Sequence, residues 1–260
     1  MKRMHFLYRM QLAFSQAVHD HHFLIRCIPM EDGIQKREHF SCRITPADTL
    51  DQVADGFGNQ GYAGAVRGPH DGLSVLAQGI VRICGTDRRE PLHPVYRFPS
   101  AYTVPGETIR RFLDETGQEL GRQPADLAGL KFLMNRLAGR FRYVPGVTSV
   151  KTRAEEALAG GQGVCQDYAH IFISLCRLAG VPARYVAGMI TGEGQTHAWA
   201  EAWLDGAWHG FDPTNSRMAD ETYIRLTHGR DFADGAVDKG CFLGFASQTQ
   251  QILVKVEETA

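Results

Sequence analysis

The spacing of hydrophobic residues changes character once along the chain, after about residue 85. Before that point, apolar and polar residues alternate in short runs separated by turn signals, as is typical of half-buried strands. Residues 6–14, 23–29 and 37–44 show this pattern, and no convincing helical period accompanies them. We therefore predict a β-sandwich-like domain over residues 1–88. The clearest strand is predicted at residues 73–83, where one parity holds Leu73, Val75, Ala77, Gly79, Val81 and Ile83.

Prolines then interrupt the chain over residues 89–106, which predicts a linker. Beyond it, apolar residues recur at helical spacing, and a final alternating run at residues 251–257 predicts a last strand. We therefore predict an α+β core over residues 107–260. The clearest amphipathic helix outside the centre of this core is marked by Leu127, Leu130, Met134, Leu137 and Phe141.

One predicted helix presents a cysteine in its first turn. Gly160, Gly161 and Gly163 form a permissive turn before it, and Gly180 suits the left-handed position that ends it. Apolar residues between these ends cover most of the circumference, which indicates a helix inside the domain. Unpaired backbone amides and the helix dipole favour an anion at a helix start, so the position of Cys165 stabilises a thiolate.

A two-residue hairpin is predicted by the Asp-Gly dipeptide at residues 205–206. The implied register places Trp203 opposite Trp208. It also brings His197 and Asp212 to the same face as diagonal neighbours, with Cβ atoms ~7 Å apart. An imidazole–carboxylate hydrogen bond is therefore within reach.

Four segments in order resemble the core of the transglutaminase-like superfamily: CQDYAH beginning at Cys165, GVPARYVAG, HAWAEAW beginning at His197, and WHGFDPTN around Asp212. More narrowly, they resemble bacterial transglutaminase-like proteins that are regarded as candidate cysteine peptidases and carry an N-terminal β-domain. The resemblance implies a papain-like α+β fold with helices packed on an antiparallel sheet. It further implies that Cys165 is the nucleophile, His197 the general base and acid, and Asp212 the group that orients the histidine.

Two aromatic residues are expected to line the substrate cleft. Trp199 shares the predicted face of His197, and Tyr168 lies in the segment that follows Cys165. Glu201 lies on the same face and is open to two interpretations, an ion pair or a substrate contact.

Metal and cofactor sites are not predicted. His19, His21 and His22 are interpreted as the exposed start of a strand, and Cys165 and His170 lack a common ligand spacing. Zinc bound by the cysteine, histidine and aspartate is disfavoured because catalytic zinc usually has richer histidine ligation. The GGQG stretch lacks the lysine of a P-loop.

Composition argues against two classes of partner, nucleic acids and anionic membranes. The 260 residues are 43% hydrophobic and 22% charged, with 28 basic against 29 acidic side chains and a net charge of -1. This balance gives no support for nucleic-acid or anionic-membrane binding. Arg9 and Gln11 interrupt the apolar stretch near the start, so neither an export signal nor a membrane span is predicted. Six scattered cysteines are then expected to be free thiols in the cytoplasm.

Two functions from different classes follow. The first is a cysteine-dependent acyl-transfer enzyme that cleaves amide bonds of a peptide, a protein or a small amide through a thioester. The resemblance favours peptidase or amidase hydrolysis, and transamidation is the other possible outcome. The alternative is a non-catalytic peptide- or protein-binding module that retains the fold. Oligomeric state and the role of the N-terminal domain are not encoded in a readable pattern.

Overall fold

The computed structural model describes residues 1–86 and 88–259 of the chain. As predicted, the N-terminal region is built from antiparallel strands. The bounds are β1 (Lys2–Ile25), β2 (Gln35–Thr45), β3 (Thr49–Ala54), β4 (Gln60–Val66) and β5 (His70–Ile83).

The first strand is longer than predicted. Residues 6–14 and the start of the run at 23–29 belong to one strand of 24 residues, β1, which ends at Ile25. Its first half pairs with β5, and the register shifts between Ala13 and Val18 before its second half pairs with β4. The strand thereby contributes to two ladders, because an irregularity changes the direction of a strand without ending it.

A group of helices follows a 3-10 helix at Pro94–Arg97. Helix α4 begins at the predicted cysteine, and Gly180 adopts the predicted left-handed conformation after its end, with a φ of 82°. Every residue of α4 from 166 to 177 is buried, which fits its apolar circumference. The helices are α1 (Glu107–Leu120), α2 (Leu127–Arg140), α3 (Ala154–Gly160), α4 (Cys165–Leu178) and α5 (Phe232–Gly235), and two short parallel strands are β6 (Arg142–Tyr143) and β7 (Gln162–Gly163).

Helix α4 packs against an antiparallel five-stranded sheet. The predicted hairpin register is confirmed, since Leu204 faces Ala207 and Trp203 faces Trp208. The strand order is β12 (Arg217–Met218), β11 (Ala207–Asp212), β10 (His197–Leu204), β8 (Ala183–Ile190) and β13 (Tyr223–Gly229). Helices on an antiparallel sheet, preceded by a β-rich region, confirm the predicted fold class.

The last strands of the chain do not join this five-stranded sheet. The sequence assigned all of residues 107–260 to the α+β core, but β14 (Asp238–Leu243) and β15 (Gln248–Thr259) both pair with β1. Strand β9 (Gly192–Gly194) in turn pairs with β15, so part of the central segment also extends the N-terminal sheet. Alternation predicts that a segment is a strand and not which strand is its neighbour. Most buried apolar side chains of both regions form one contiguous core, and Val186, Trp199 and Tyr223 form a second, smaller cluster.

Candidate active site

Cys165 is the first residue of α4 and is partly exposed. The turn before it is held by Asp167, whose Oδ2 accepts hydrogen bonds from the Val164 amide at 2.8 Å and from the Thr148 hydroxyl at 2.7 Å. Burial raises the pKa of Asp167, and these two donors counteract that rise. Asp167 therefore fixes the backbone that presents the thiol.

His197 and Asp212 lie side by side at the start of β10 and the end of β11. The His197 Nε2 is 2.8 Å from the Asp212 Oδ2, so the predicted imidazole–carboxylate hydrogen bond is present. Burial alone would lower the pKa of His197, but hydrogen bonds with Asp212 and Cys165 and their charges raise it to about 9. The imidazolium form is thus favoured between an acid and a thiol.

The contact with Asp212 determines which ring nitrogen of His197 can face the thiol. Because Nε2 faces Asp212, the ring nitrogen left for the Cys165 thiol is Nδ1. Cys165 and His197 also line one cavity, to which the thiol is open. The structure therefore brings together the cysteine, histidine and aspartate that sequence analysis selected.

Asp212 is fully buried and is held by three neighbours besides His197. Its Oδ1 accepts from the amides of Thr214 and Asn215 at 3.1 and 3.2 Å. Its Oδ2 accepts from the Asn215 side-chain amide and the Tyr223 hydroxyl, each at 2.7 Å. Burial raises the pKa of Asp212, but hydrogen bonds and the charge of His197 outweigh burial and lower it. The carboxylate form is therefore stabilised inside the protein.

Sequence reasoning missed Tyr223. It lies on the edge strand β13, which is separated from β11 by β10 and β8. Burial and the nearby Asp212 raise the pKa of its hydroxyl. Arg217 donates a hydrogen bond from Nε to this oxygen at 2.7 Å. No local pattern identifies Tyr223, because its link to Asp212 depends on tertiary packing. Asn215 was contained in the motif around Asp212 and could have been proposed.

The cavity at the thiol has a volume of about 490 Å³, which lies in the range of small-molecule and peptide sites. It is lined by Tyr143, Pro145, Val164, Cys165 and Val254 together with residues 190–197. Tyr143 and Pro145 come from the segment that follows α2.

The two predicted cleft aromatics are placed elsewhere, and this part of the prediction needs correction. Trp199 is only 1% exposed and stacks beside His197, with ring centroids 6.3 Å apart. Tyr168 is 3% exposed, and its hydroxyl donates to the carbonyl of Phe141. Neither lines the cavity. Trp199 shares a strand face with His197 and Tyr168 follows Cys165 on α4, but other buried side chains cover both residues.

Other candidates are assigned by their contacts. Glu201 is fully buried and accepts from Arg184 at 2.7 Å and from Arg88 at 2.8 Å, so it is an ion-pair member. His21 is not an exposed strand start, because it is 2% exposed and its ring stacks on that of His70. Within residues 1–86 and 88–259, no group of three or more His, Cys, Asp or Glu could hold a metal ion. No helix in those ranges is long and apolar enough to span a membrane.

Comparison with known proteins identifies the family of the chain. Residues 114–213 match the family model of the transglutaminase-like superfamily, and residues 5–82 match the bacterial transglutaminase-like N-terminal region. An uncharacterized protein of Mycobacterium leprae is 30% identical over 240 residues, which cover 83% of this chain and 84% of that protein. An uncharacterized protein of Mycobacterium tuberculosis is 31% identical over 213 residues, which cover 69% of this chain and 68% of that protein.

Among solved structures, a candidate cysteine protease of Cytophaga hutchinsonii aligns with a TM-score of 0.79 at 23% identity, covering 100% of this chain and 92% of that one. This likeness shows a shared fold. Together with the sequence relatives, it leads to one conclusion: the chain belongs to the transglutaminase-like superfamily and carries the bacterial N-terminal region of that group.

Proposed function

We propose that this protein is a cysteine-dependent acyl-transfer enzyme that cleaves amide bonds through a thioester, with water as the favoured acceptor. The observation that carries the proposal is His197, which hydrogen-bonds Asp212 at 2.8 Å and shares the lining of one cavity with Cys165, and whose pKa these two neighbours raise to about 9. An imidazolium between a carboxylate and a thiol is the arrangement that ion-pair cysteine enzymes use. Membership of the superfamily and the fold shared with a candidate cysteine protease support a cysteine enzyme.

The first half-reaction forms the thioester. The Cys165 Sγ, as thiolate, attacks the amide carbonyl, and the carbonyl oxygen becomes an oxyanion beside the first turn of α4. Backbone amides of a first turn have no intrahelical acceptor, so the Cys165 N–H is oriented to donate to that oxygen. The tetrahedral intermediate then collapses, the C–N bond breaks, and the His197 imidazolium gives its proton to the departing amine.

The second half-reaction releases the acyl group. Neutral His197 accepts a proton from an incoming water as the water oxygen attacks the thioester carbonyl, and the thiolate leaves. Asp212 holds the ring in one tautomer and stabilises the imidazolium that is formed again. A primary amine in place of water gives transamidation by the same steps. Hydrolysis is proposed as the main outcome because of the resemblance to candidate cysteine peptidases.

The test compares Cys165→Ala with Cys84→Ala, which removes an exposed cysteine outside the site. Purified proteins are incubated with peptide, isopeptide and glutamine-amide substrates, with and without an added amine. We expect Cys165→Ala to lower turnover by on the order of 10⁴-fold or more, whereas Cys84→Ala retains it. Turnover that survives in Cys165→Ala would exclude the thiol as nucleophile.

A second measurement separates an enzyme from a binding module without a known substrate. The wild-type protein is treated with iodoacetamide at pH 6, and each cysteine is quantified by mass spectrometry. Only the thiolate is alkylated at an appreciable rate. We expect Cys165 to react faster than the exposed Cys84 and Cys241. Equal rates at the three positions would favour a protein that retains the fold and lacks the chemistry.

A further inference from the structure

Strand β9 lies at the end of the larger sheet, beside the catalytic cavity. The order along the main path of that sheet is β2, β5, β1, β15 and β9, so β9 pairs with β15 on one side only within the described residues. All three of its residues are exposed, and all three line the cavity. An edge strand presents backbone N–H and C=O groups that can pair with another extended chain.

The two glycines of β9 are explained differently. Gly192 has a φ of 112°, a conformation that favours glycine. Gly194 has no positive φ, and a Cβ built at this position would find no atom within 4 Å. Internal packing therefore does not require glycine at position 194. A bare backbone at a strand edge permits another backbone to approach closely.

Strand β9 is also close in sequence to one of the proposed reacting residues. Gly194 precedes His197 by three residues, a span of at most ~10 Å of extended chain. A peptide laid along β9 is thus led directly to the His197 and Cys165 side of the cavity. The same cavity is lined by Tyr143, which is 53% exposed, and Pro145. An apolar side chain of such a peptide would contact these two residues.

We propose that the substrate is an extended, unfolded polypeptide segment that pairs its main chain with the free edge of β9 and places an apolar side chain against Tyr143 and Pro145. This inference rests on the proposed function and adds the substrate class and its binding site. Recognition through main-chain hydrogen bonds selects extended peptides over small free amides and over amides on folded surfaces. The N-terminal sheet then has a direct role, because β15 holds β9 in place.

The experiment compares two reagents that alkylate the same thiol. Iodoacetamide reports the reactivity of the Cys165 thiolate alone. The second reagent is an acyloxymethyl ketone that carries the peptide acetyl-Ala-Ala-Ala-Leu, and its reaction depends on peptide binding as well. The thiolate displaces the carboxylate leaving group of the ketone and forms a thioether. The ratio of the two second-order rate constants measures recognition. Four further ketones each carry one N-methylated backbone amide.

Pairing with a strand edge predicts a pattern of period two, because alternate residues of an added strand direct their N–H groups towards the partner. We expect N-methylation at alternate positions to lower the peptidyl rate by about tenfold each and the intervening positions to have little effect. Gly194→Val adds a branched side chain to the bare backbone that the peptide would approach, and is expected to lower the ratio by about tenfold or more. Gly68→Val is the matched control, because a Cβ at Gly68 also meets no atom within 4 Å and the residue lies outside the cavity.

The outcomes separate the two proposals. If iodoacetamide labels Cys165 rapidly but the peptidyl ketone gains nothing, or if N-methylation has no alternating effect, the edge-strand inference is wrong and the proposed chemistry stands. If Cys165 labels no faster than exposed cysteines, both are wrong. If thermal unfolding shows that Gly194→Val is not folded, the N-methylated ketones tested on the wild-type protein decide whether the peptide pairs with β9.

Discussion

Replacing Asp212 by Asn keeps the shape of the side chain and removes its negative charge. In the wild-type protein the pKa of His197 is about 9 against an ordinary 6.5, although burial alone lowers it. That difference corresponds to ~3.4 kcal/mol at 1.36 kcal/mol per pKa unit. Asp212 and Cys165 both contribute, and the Asp212 Oδ2 lies 2.8 Å from the His197 Nε2. We assign about 2.7 kcal/mol or more of the effect to Asp212.

Loss of this contribution should bring the pKa of His197 in Asp212→Asn to about 7 or below. At pH 7.5 the imidazolium fraction would then fall from roughly 97% to roughly a quarter. The proton that the departing amine needs would be missing from most molecules. We expect the rate of amide cleavage at this pH to fall by on the order of 10²–10⁴-fold, since the ring tautomer is also no longer fixed.

The assay is an NMR titration of protein labelled with ¹³C at the histidine Cε1, with the His197 resonance assigned from His197→Gln. Asp205→Asn is the matched control: it makes the same chemical change in the hairpin turn of the same sheet, at a φ of 50° that Asn adopts readily. Its His197 midpoint should stay near the wild-type value. A midpoint that also stays near 9 in Asp212→Asn would refute the assignment of the raised pKa to the carboxylate.

Three further predictions concern the same region. The pKa of His197 is raised to about 9 in the folded protein, so its contribution to stability is complete below pH 6.5 and is lost as the pH rises through 9. Urea unfolding should therefore show that the free energy of unfolding decreases by about 2–3 kcal/mol over this range in the wild-type protein and not in Asp212→Asn. Tyr223→Phe removes the 2.7 Å hydrogen bond to Asp212 and should slow alkylation of Cys165 at pH 6 roughly tenfold; an unchanged rate would show that Asn215 suffices. Glu201→Ala leaves Arg184 and Arg88 without their buried carboxylate and should lower the free energy of unfolding by about 3–5 kcal/mol, whereas a loss below 1 kcal/mol would contradict the ion-pair assignment.

Local sequence determined the parts of the site that depend on short-range rules. The start of α4 at Cys165 follows from a glycine turn and a change to helical spacing, and the structure has it there. The Asp-Gly turn fixed the hairpin register, which places His197 and Asp212 within hydrogen-bond distance. Both depend on interactions between residues a few positions apart, and such interactions leave a regular pattern in the chain.

Tertiary structure alone decided the parts that depend on distant segments. Tyr223 reaches Asp212 from the far edge of the five-stranded sheet, and β15 crosses into the N-terminal sheet to hold β9 beside the cavity. Which face of a helix or strand remains open was also decided there, since Trp199 and Tyr168 are covered by the core. The physical reason is that alternation and helical period record whether a side chain is buried, whereas the identity of the partner is set by the packing of whole sheets and helices.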